Sequence, residues 1–386
     1  MHYLRLLRPP TLDGSHARTS LKLVLTINTD LSDSFLSPKE PIQLSILVAS
    51  SQYKDGATFL DVTPKKAPRW RAGLRVLKID LPWPPGLAGV LQIRPSDPRL
   101  TASSASDVVG SNQGLIAPIY VELPIPGKET PHVCSRRLKL SETSQIEIQE
   151  DLGESMARHV WDGAMVTVSM LASLHSETAA AASDRASLSW IKDIFTGNDA
   201  LCILEIGCGV GVLGIGITTL LQSASGDTAA GVHVLMTDLP DAEACASANI
   251  SRHATSDRST TGRTVDLQYE NLDWDDAKLG KFGPMVRSRP WNLVALSDCT
   301  YNVDSLPALV QTLSEAHAAS ACHPDRPEGA WETQVLLATK PRHPSEVAFL
   351  DLLSSNGWAI RQKAVLPLPI LETEEQSVEI YLFYKK

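Results

Sequence analysis

The run from 201 to 221, LCILEIGCGVGVLGIGITTLL, constrains the fold more than any other part of the chain. Its first six residues are apolar but for Glu205, the length and character of a strand buried on both faces. Glycines at 207, 209 and 211 follow, where a chain leaving a strand must turn tightly and let its backbone approach a ligand. From Val212 the apolar residues continue with only Gly214 and Gly216 between them, as in a helix packed closely on a sheet. Strand, glycine turn and helix form the first unit of a nucleotide-type site in a doubly wound α/β sheet.

Gly209, Gly211 and Gly214 match the dinucleotide fingerprint G-x-G-x-x-G, which alone is a weak signal. Glu205 argues against a dinucleotide, because it stands two residues before the first glycine, where a pyrophosphate would meet a like charge. A ligand carrying an ammonium and a sulfonium would be attracted there, and S-adenosylmethionine has both and no phosphate. The alternative, a packing turn without a ligand, leaves the density of glycines in a helix unexplained.

At 386 residues two domains are expected. The net charge of −9 is unevenly spread: residues 1–150 hold 18 Lys and Arg against 14 Asp and Glu, and the remainder 17 against 30. The acidic second part argues against general nucleic-acid binding and would suit basic segments of a protein partner. The six cysteines form no C-x-x-C pair and read as buried free thiols of a reducing compartment, the cytosol or nucleus. Residues 1–10 have no apolar core long enough for a signal peptide, and five glycines with Glu205 make 201–221 a poor membrane span.

Residues 1–131 hold 15 of the 25 prolines, which disfavours long helices. Short strands are expected at 21–27, 42–48, 76–81, 90–93 and 119–123, and a mobile loop at 101–114. Residues 1–140 therefore read as a β-rich N-terminal module, with residues 141–386 a second domain. Trp70 and Trp83 beside the basic run 65–71 read as core aromatics next to a solvated face, with a contact surface as the alternative. A strand is expected within 136–149, a helix in the latter half of 150–171, and exposed insertions at 176–187, 223–230 and 251–263. After the glycine turn, strands are expected at 232–236, 265–270, 291–297, 335–338, 358–365 and 378–384, the last two an antiparallel edge pair. Helices fall at 241–250, 305–319 and 346–356. Asp238 ends the second strand 27 residues after Gly211, where an acid accepts hydrogen bonds from ribose hydroxyls; a helix N-cap is the compatible alternative.

The upstream Trp161 is followed, in this order and at strand ends, by Leu204-Glu205-x-Gly-x-Gly-x-Gly, Thr237-Asp238-Leu-Pro, Leu272-x-Trp274 and Asp298-x-x-Tyr301. The series resembles the seven-β-strand methyltransferases, and within them the protein-lysine methyltransferase family, over roughly 146–386. The resemblance implies a Rossmann-like, doubly wound seven-stranded sheet in the order 3-2-1-4-5-7-6, with S-adenosylmethionine across the carboxyl ends of strands 1, 2 and 4. It further implies that Glu205, Gly207 and Gly209 hold the methionine end and Asp238 the ribose. Leu272 and Trp274 would flank the adenine and Trp161 close over the cofactor. Asp298, at the cofactor's edge, and Tyr301 would face the acceptor nitrogen as the catalytic pair.

Methyl transfer to an amine requires neither metal nor nucleophilic side chain, and the ten histidines show no ligand spacing. The expected partner is a protein substrate offering a lysine. Transfer to a small amine or another protein side chain, and a cofactor-binding scaffold without activity, are the alternatives.

Overall fold

The computed structural model describes all of residues 1–386 except 16–17, 50–58, 85–86, 112, 125–129, 153–157, 177–187, 197–199, 224–230, 255–264, 327–331, 343–346 and 372–374. Most of the three expected insertions thus lies outside the described residues. The chain divides into two compact units. The first comprises Met1–Leu138, Glu147–Val160 and Leu368–Glu375; the second comprises Lys139–Ile146, Trp161–Pro367 and Gln376–Lys386.

The first unit is built from two sheets. Arg18–Thr29 is the long strand of one, paired antiparallel with His2–Leu6, Thr11–Ser15 and Leu77–Trp83. In the other, Val90–Pro95 runs antiparallel between Ile42–Ala49 and Ile119–Glu122, and Val133–Lys139 and Gln145–Asp151 continue the sheet. Leu21, Leu23, Leu25 and Ile27 alternate inward and meet Leu44, Ile46, Leu91 and Ile93 in a shared core. Trp70 and Trp83 belong to that core, their indole N–H groups donating to the carbonyls of Leu36 (2.8 Å) and Leu87 (3.1 Å). The segment expected as a mobile loop carries the helix Ala105–Gly110, because Ser104 and Asp107 form a reciprocal capping box. The single strand expected within 136–149 is two strands joined by a turn in which the Leu140 N–H reaches the Ser144 carbonyl at 2.8 Å. His2–Leu6, which carries no alternation, is wholly buried.

Glu150 is buried in this unit with three basic neighbours. Arg136 donates to its carboxylate at 2.7 Å, Arg5 lies 3.8 Å and His159 3.6 Å away, and the Val160 N–H donates to it at 2.9 Å. The arginines hold this carboxyl well below the usual carboxylate range against the opposing effect of burial.

The second unit is a mixed seven-stranded sheet of β1 (Leu201–Ile206), β2 (Val232–Asp238), β3 (Val265–Asn271), β4 (Leu293–Ser297), β5 (Gln334–Thr339), β6 (Trp358–Leu368) and β7 (Gln376–Lys385). The spatial order is 3-2-1-4-5-7-6, with β1 to β5 parallel and β7 antiparallel to β5. Its helices are α1 (Asp162–Ser176), α2 (Ser189–Thr196), α3 (Val212–Ser223), α4 (Pro240–Ala254), α5 (Trp274–Ala277), α6 (Leu306–Ala321) and α7 (Val347–Ser355). The burial of β1, β4 and β5 on both faces explains their unbroken apolar sequences. Gly216 lets α3 approach α1: a Cβ there would lie 2.4 Å from a methyl of Val168. Among the described residues no helix is long and apolar enough to cross a membrane. Of the cysteines, Cys134, Cys208, Cys245 and Cys299 are buried, while Cys202 is half-buried and Cys322 exposed, the last because it stands at the end of α6 rather than in an apolar run.

Candidate active site

The carboxyl ends of β1 to β4 carry Glu205, the glycines, Asp238, Leu272, Trp274, Asp298 and Tyr301 to one edge of the second unit, and Trp161, just before α1, joins them by lying parallel to Tyr301. The chain leaves β1 through Gly207, Gly209 and Gly211, with φ of 69°, 53° and 88°. These left-handed conformations strain any residue with a Cβ. At Gly207 a Cβ would also lie 2.5 Å from Cys299 Sγ, and at Gly211 2.3 Å from Met236 Cε. The turn is pinned from both sides. The Cys208 N–H donates to the Thr237 carbonyl at 3.0 Å, and Asn249, buried on α4, donates its side-chain amide to the Val210 carbonyl at 2.9 Å. Read from sequence, Asn249 stands near the end of the helix 241–250; the helix runs on to Ala254, and nothing in the sequence marks Asn249 for this contact, because a buried asparagine inside a helix carries no periodic signal.

Two acids flank this turn. Glu205 is 1% exposed, and its Oε2 has no hydrogen-bond partner among the described residues. Burial, with the charge of Asp238 adding to it, pushes its carboxyl up to about 8, against the effect of the Gly214 N–H at the start of α3. Asp238 accepts from the Gly209 N–H on Oδ2 and from the Leu239 N–H on Oδ1, both at 2.7 Å. Burial raises its carboxyl too, and these two amides oppose the rise. The alternative of a helix N-cap is not realised: α4 begins at Pro240, so the Leu239 N–H on one oxygen lies outside the helix, while the other oxygen fastens the glycine turn. Among the described residues no cation faces Glu205 or Asp238, and an anionic ligand would add a further like charge.

After β3, the Leu272 N–H donates to the Asp238 carbonyl at 2.8 Å and the Leu272 side chain is buried. Trp274 opens α5, whose N-cap Asp273 accepts from the Asp275 N–H at 2.8 Å. The Trp274 ring edge lies 3.5 Å from where a Gly207 Cβ would stand. Trp274 and the glycine turn are therefore neighbours.

After β4, Asp298 adopts φ of 53°, one of two non-glycine residues with positive φ among those described. Its Oδ2 accepts from the Ala164 N–H at 3.2 Å and its Oδ1 from Arg342 Nη2 at 3.4 Å, and the side chain is 4% exposed. In the fold Asp298 caps α1, whose Ala164 lies 134 residues upstream. Gly163 makes room for it, since a Cβ there would lie 2.4 Å from Oδ2. Tyr301, 51% exposed, lies parallel to Trp161 with ring centroids 6.5 Å apart and planes within 5°. Burial raises the phenol above its ordinary value, so it is neutral.

The exit of β5 supplies two cations absent from the sequence-based site. Lys340 pairs with Asp162 at 2.9 Å, both buried, and the Arg342 guanidinium lies 5.2 Å from the Trp161 ring centroid while holding Asp298. Lys340-Pro-Arg342 directly follows a buried strand, so its position at a carboxyl end was the available signal.

Residues 140–356 match the lysine methyltransferase family, more than half of the chain. The chain belongs to this family. It is an S-adenosylmethionine-dependent methyltransferase. It is also 23% identical, over 100% of its length and 99% of the other's, to a UPF0665 family protein of Schizosaccharomyces pombe. Among solved structures, magnesium protoporphyrin IX methyltransferase of Synechocystis with bound SAH is 14% identical, covering 53% of this chain and 81% of its own at a TM-score of 0.30. A SAM-dependent methyltransferase of Agrobacterium tumefaciens is 10% identical, covering 68% and 72%, with a TM-score of 0.38.

The methyltransferase site fits its cofactor. The orphaned, buried Oε2 of Glu205 would be satisfied by a cation, and the left-handed glycine turn leaves backbone where side chains would obstruct. Each oxygen of Asp238 retains a lone pair for a hydroxyl donor. Glu205, Gly207 and Gly209 would hold the amino-acid end, Asp238 the ribose, and Leu272 and Trp274 the base.

Proposed function

We propose that this methyltransferase acts on a lysine side chain of a protein substrate. The observation that carries the reading is the parallel pair Trp161 and Tyr301, one ring half exposed, beside an Asp298 whose two oxygens are already engaged. When bound, S-adenosylmethionine supplies a methyl group on a positively charged sulfur. The aromatic pair offers apolar faces to the methylenes of a lysine and strips water from its nitrogen. Desolvation lowers an amine from its ordinary value of about 10.4, which yields the neutral nucleophile. Asp298 orients the acceptor side by tying α1 to the exit of β4, and Tyr301, neutral, can accept a hydrogen bond from the amine without holding its proton. Holding nitrogen and methyl in line contributes up to ~7–11 kcal/mol. We propose further that the first unit, with its basic balance, selects the protein target, and that the enzyme works in the cytosol or nucleus.

The test is to incubate the full-length protein with S-adenosylmethionine carrying a tritiated methyl group and a heat-treated cell extract. Labelled protein is then hydrolysed to amino acids. Methyllysine as the labelled product supports the reading. Label in another amino acid or in small amines overturns it, and cofactor binding without any transfer identifies a scaffold.

A further inference from the structure

Outside the cofactor shell, the strongest unexplained feature is Arg342. It lies 5.2 Å over the Trp161 ring, donates to Asp298 at 3.4 Å, and is 15% exposed. A carboxylate beside an acceptor amine would be counterproductive if left uncompensated. An opposite charge within ~4–6 Å raises an amine's pKa by about one to three units and keeps the nitrogen protonated and unreactive. Here the Asp298 carboxylate meets the N-terminus of α1 on one oxygen and a guanidinium on the other.

We infer that Arg342 is a positioning residue that cancels the charge of Asp298, so that the acceptor amine is received neutral; this rests on the lysine reading above. Among the described residues, the cation seen on the Asp298 carboxylate is Arg342. On the exit of β5, Lys340 is committed to Asp162 at the start of α1. On the exit of β4, the Cys299 thiol and Tyr301 phenol are both raised by burial and contribute no charge. On β1 and β2, Glu205 and Asp238 are acids and offer no positive charge. Before transfer the lysine ammonium gives its proton to water. The nitrogen lone pair then forms the new N–C bond while the electrons of the breaking C–S bond remain on sulfur.

The experiment measures initial rates of tritium transfer from S-adenosylmethionine to a heat-treated cell extract, from roughly pH 7 to 10. It compares the full-length wild type, Arg342→Gln, Arg342→Lys and the double variant Asp298→Asn with Arg342→Gln. With about one unit of amine shift, Arg342→Gln is expected to be about tenfold slower near pH 7.5, with the gap closing towards pH 10. The extract concentration giving half-maximal rate should not rise, because an uncompensated carboxylate attracts the protonated lysine. Arg342→Lys keeps the charge and should keep the wild-type pH dependence. The double variant loses both charges, so it should be slower yet regain that pH dependence, and it remains informative if Arg342→Gln alone does not fold. A rate ratio constant with pH, or a double variant that retains the shifted profile, overturns the inference while leaving the lysine reading intact. A wild type that yields no methyllysine overturns both.

Discussion

At the residue scale, Glu205 links stability, pH and cofactor binding. Its carboxyl is raised from the ordinary 4.5 to about 8, burial being the main cause. The protonated form is therefore the one the folded chain favours. The stability this gives is fully present below pH 4.5 and is lost as pH rises through 8. A ligand ammonium reverses the preference, so cofactor binding should expel the proton. At pH 7 about nine-tenths of molecules carry it. Calorimetric titration in buffers of different ionisation enthalpy should thus show close to one proton released per cofactor bound. Glu205→Gln should release none and bind roughly 10- to 100-fold more weakly, the worth of a charge-assisted hydrogen bond of about 1.5–3 kcal/mol. The free variant should melt higher than wild type at alkaline pH. Proton release unchanged by Glu205→Gln would move the titrating group elsewhere. Asp238→Ala should also weaken cofactor binding by about 1.5–3 kcal/mol, and unaltered affinity would leave Asp238 as a fastener of the glycine turn alone.

At the element scale, the start of α1 depends on a carboxylate delivered from β4, and the two obvious substitutions of that residue should differ. Asp298→Asn keeps an acceptor for the Ala164 N–H and a residue that tolerates φ of 53°, whereas Asp298→Ala loses the cap and strains the backbone. Alanine should therefore destabilise the protein by about 1–2 kcal/mol more than asparagine, read by denaturant unfolding. Equal losses would show that the carboxylate matters only as a charge. Where α3 meets α1, Gly216→Ala gains about 1 kcal/mol of helix propensity but meets Val168 at 2.4 Å, and overpacking costs typically 1–3 kcal/mol. Net destabilisation is expected, and a stabilised variant would mean that α1 yields at little cost. These elements also mark how far the sequence could be read. The apolar runs of β1, β4 and β5 and the glycine turn were legible, because burial on both faces and left-handed backbone each leave a residue-type signature. Glu205, Asp238, Leu272 and Trp274 were placed at strand ends by the same logic. Arg342, Lys340 and Asn249 were not, since each acts through a partner distant in sequence, and a single charged or amide residue after a strand has many uses. His2–Leu6 was missed because a strand buried on both faces and only five residues long has neither alternation nor length to betray it.

At the scale of the whole molecule, the proposed division of labour between target choice and chemistry has to be tested on a chain whose first unit is discontinuous. Residues 1–140 were expected as one module, but the first compact unit also holds Glu147–Val160 and Leu368–Glu375. A single cut before Arg136 would keep these segments and discard what they pack with. Arg136 would lose the carbonyls of Ala117 (3.2 Å) and Pro118 (2.8 Å), and Glu150 would lose Arg5. Leu138 and Ile148, both buried, would lose their surroundings at about 1.5–3 kcal/mol for each large apolar side chain exposed. A fragment 136–386 should therefore aggregate, whatever the first unit does. The informative fragment starts at Trp161 and replaces 369–375 by a short Gly/Ser linker, which leaves the seven strands and the site residues in place. It is expected to fold cooperatively and to bind S-adenosylmethionine with the affinity of the full-length protein, by calorimetry. It is also expected to label the protein target that the full-length enzyme labels in extract at least tenfold more slowly. Labelling of that target at the full-length rate would remove the first unit from target choice. Loss of cofactor binding in a folded fragment would mean that the first unit serves the site itself.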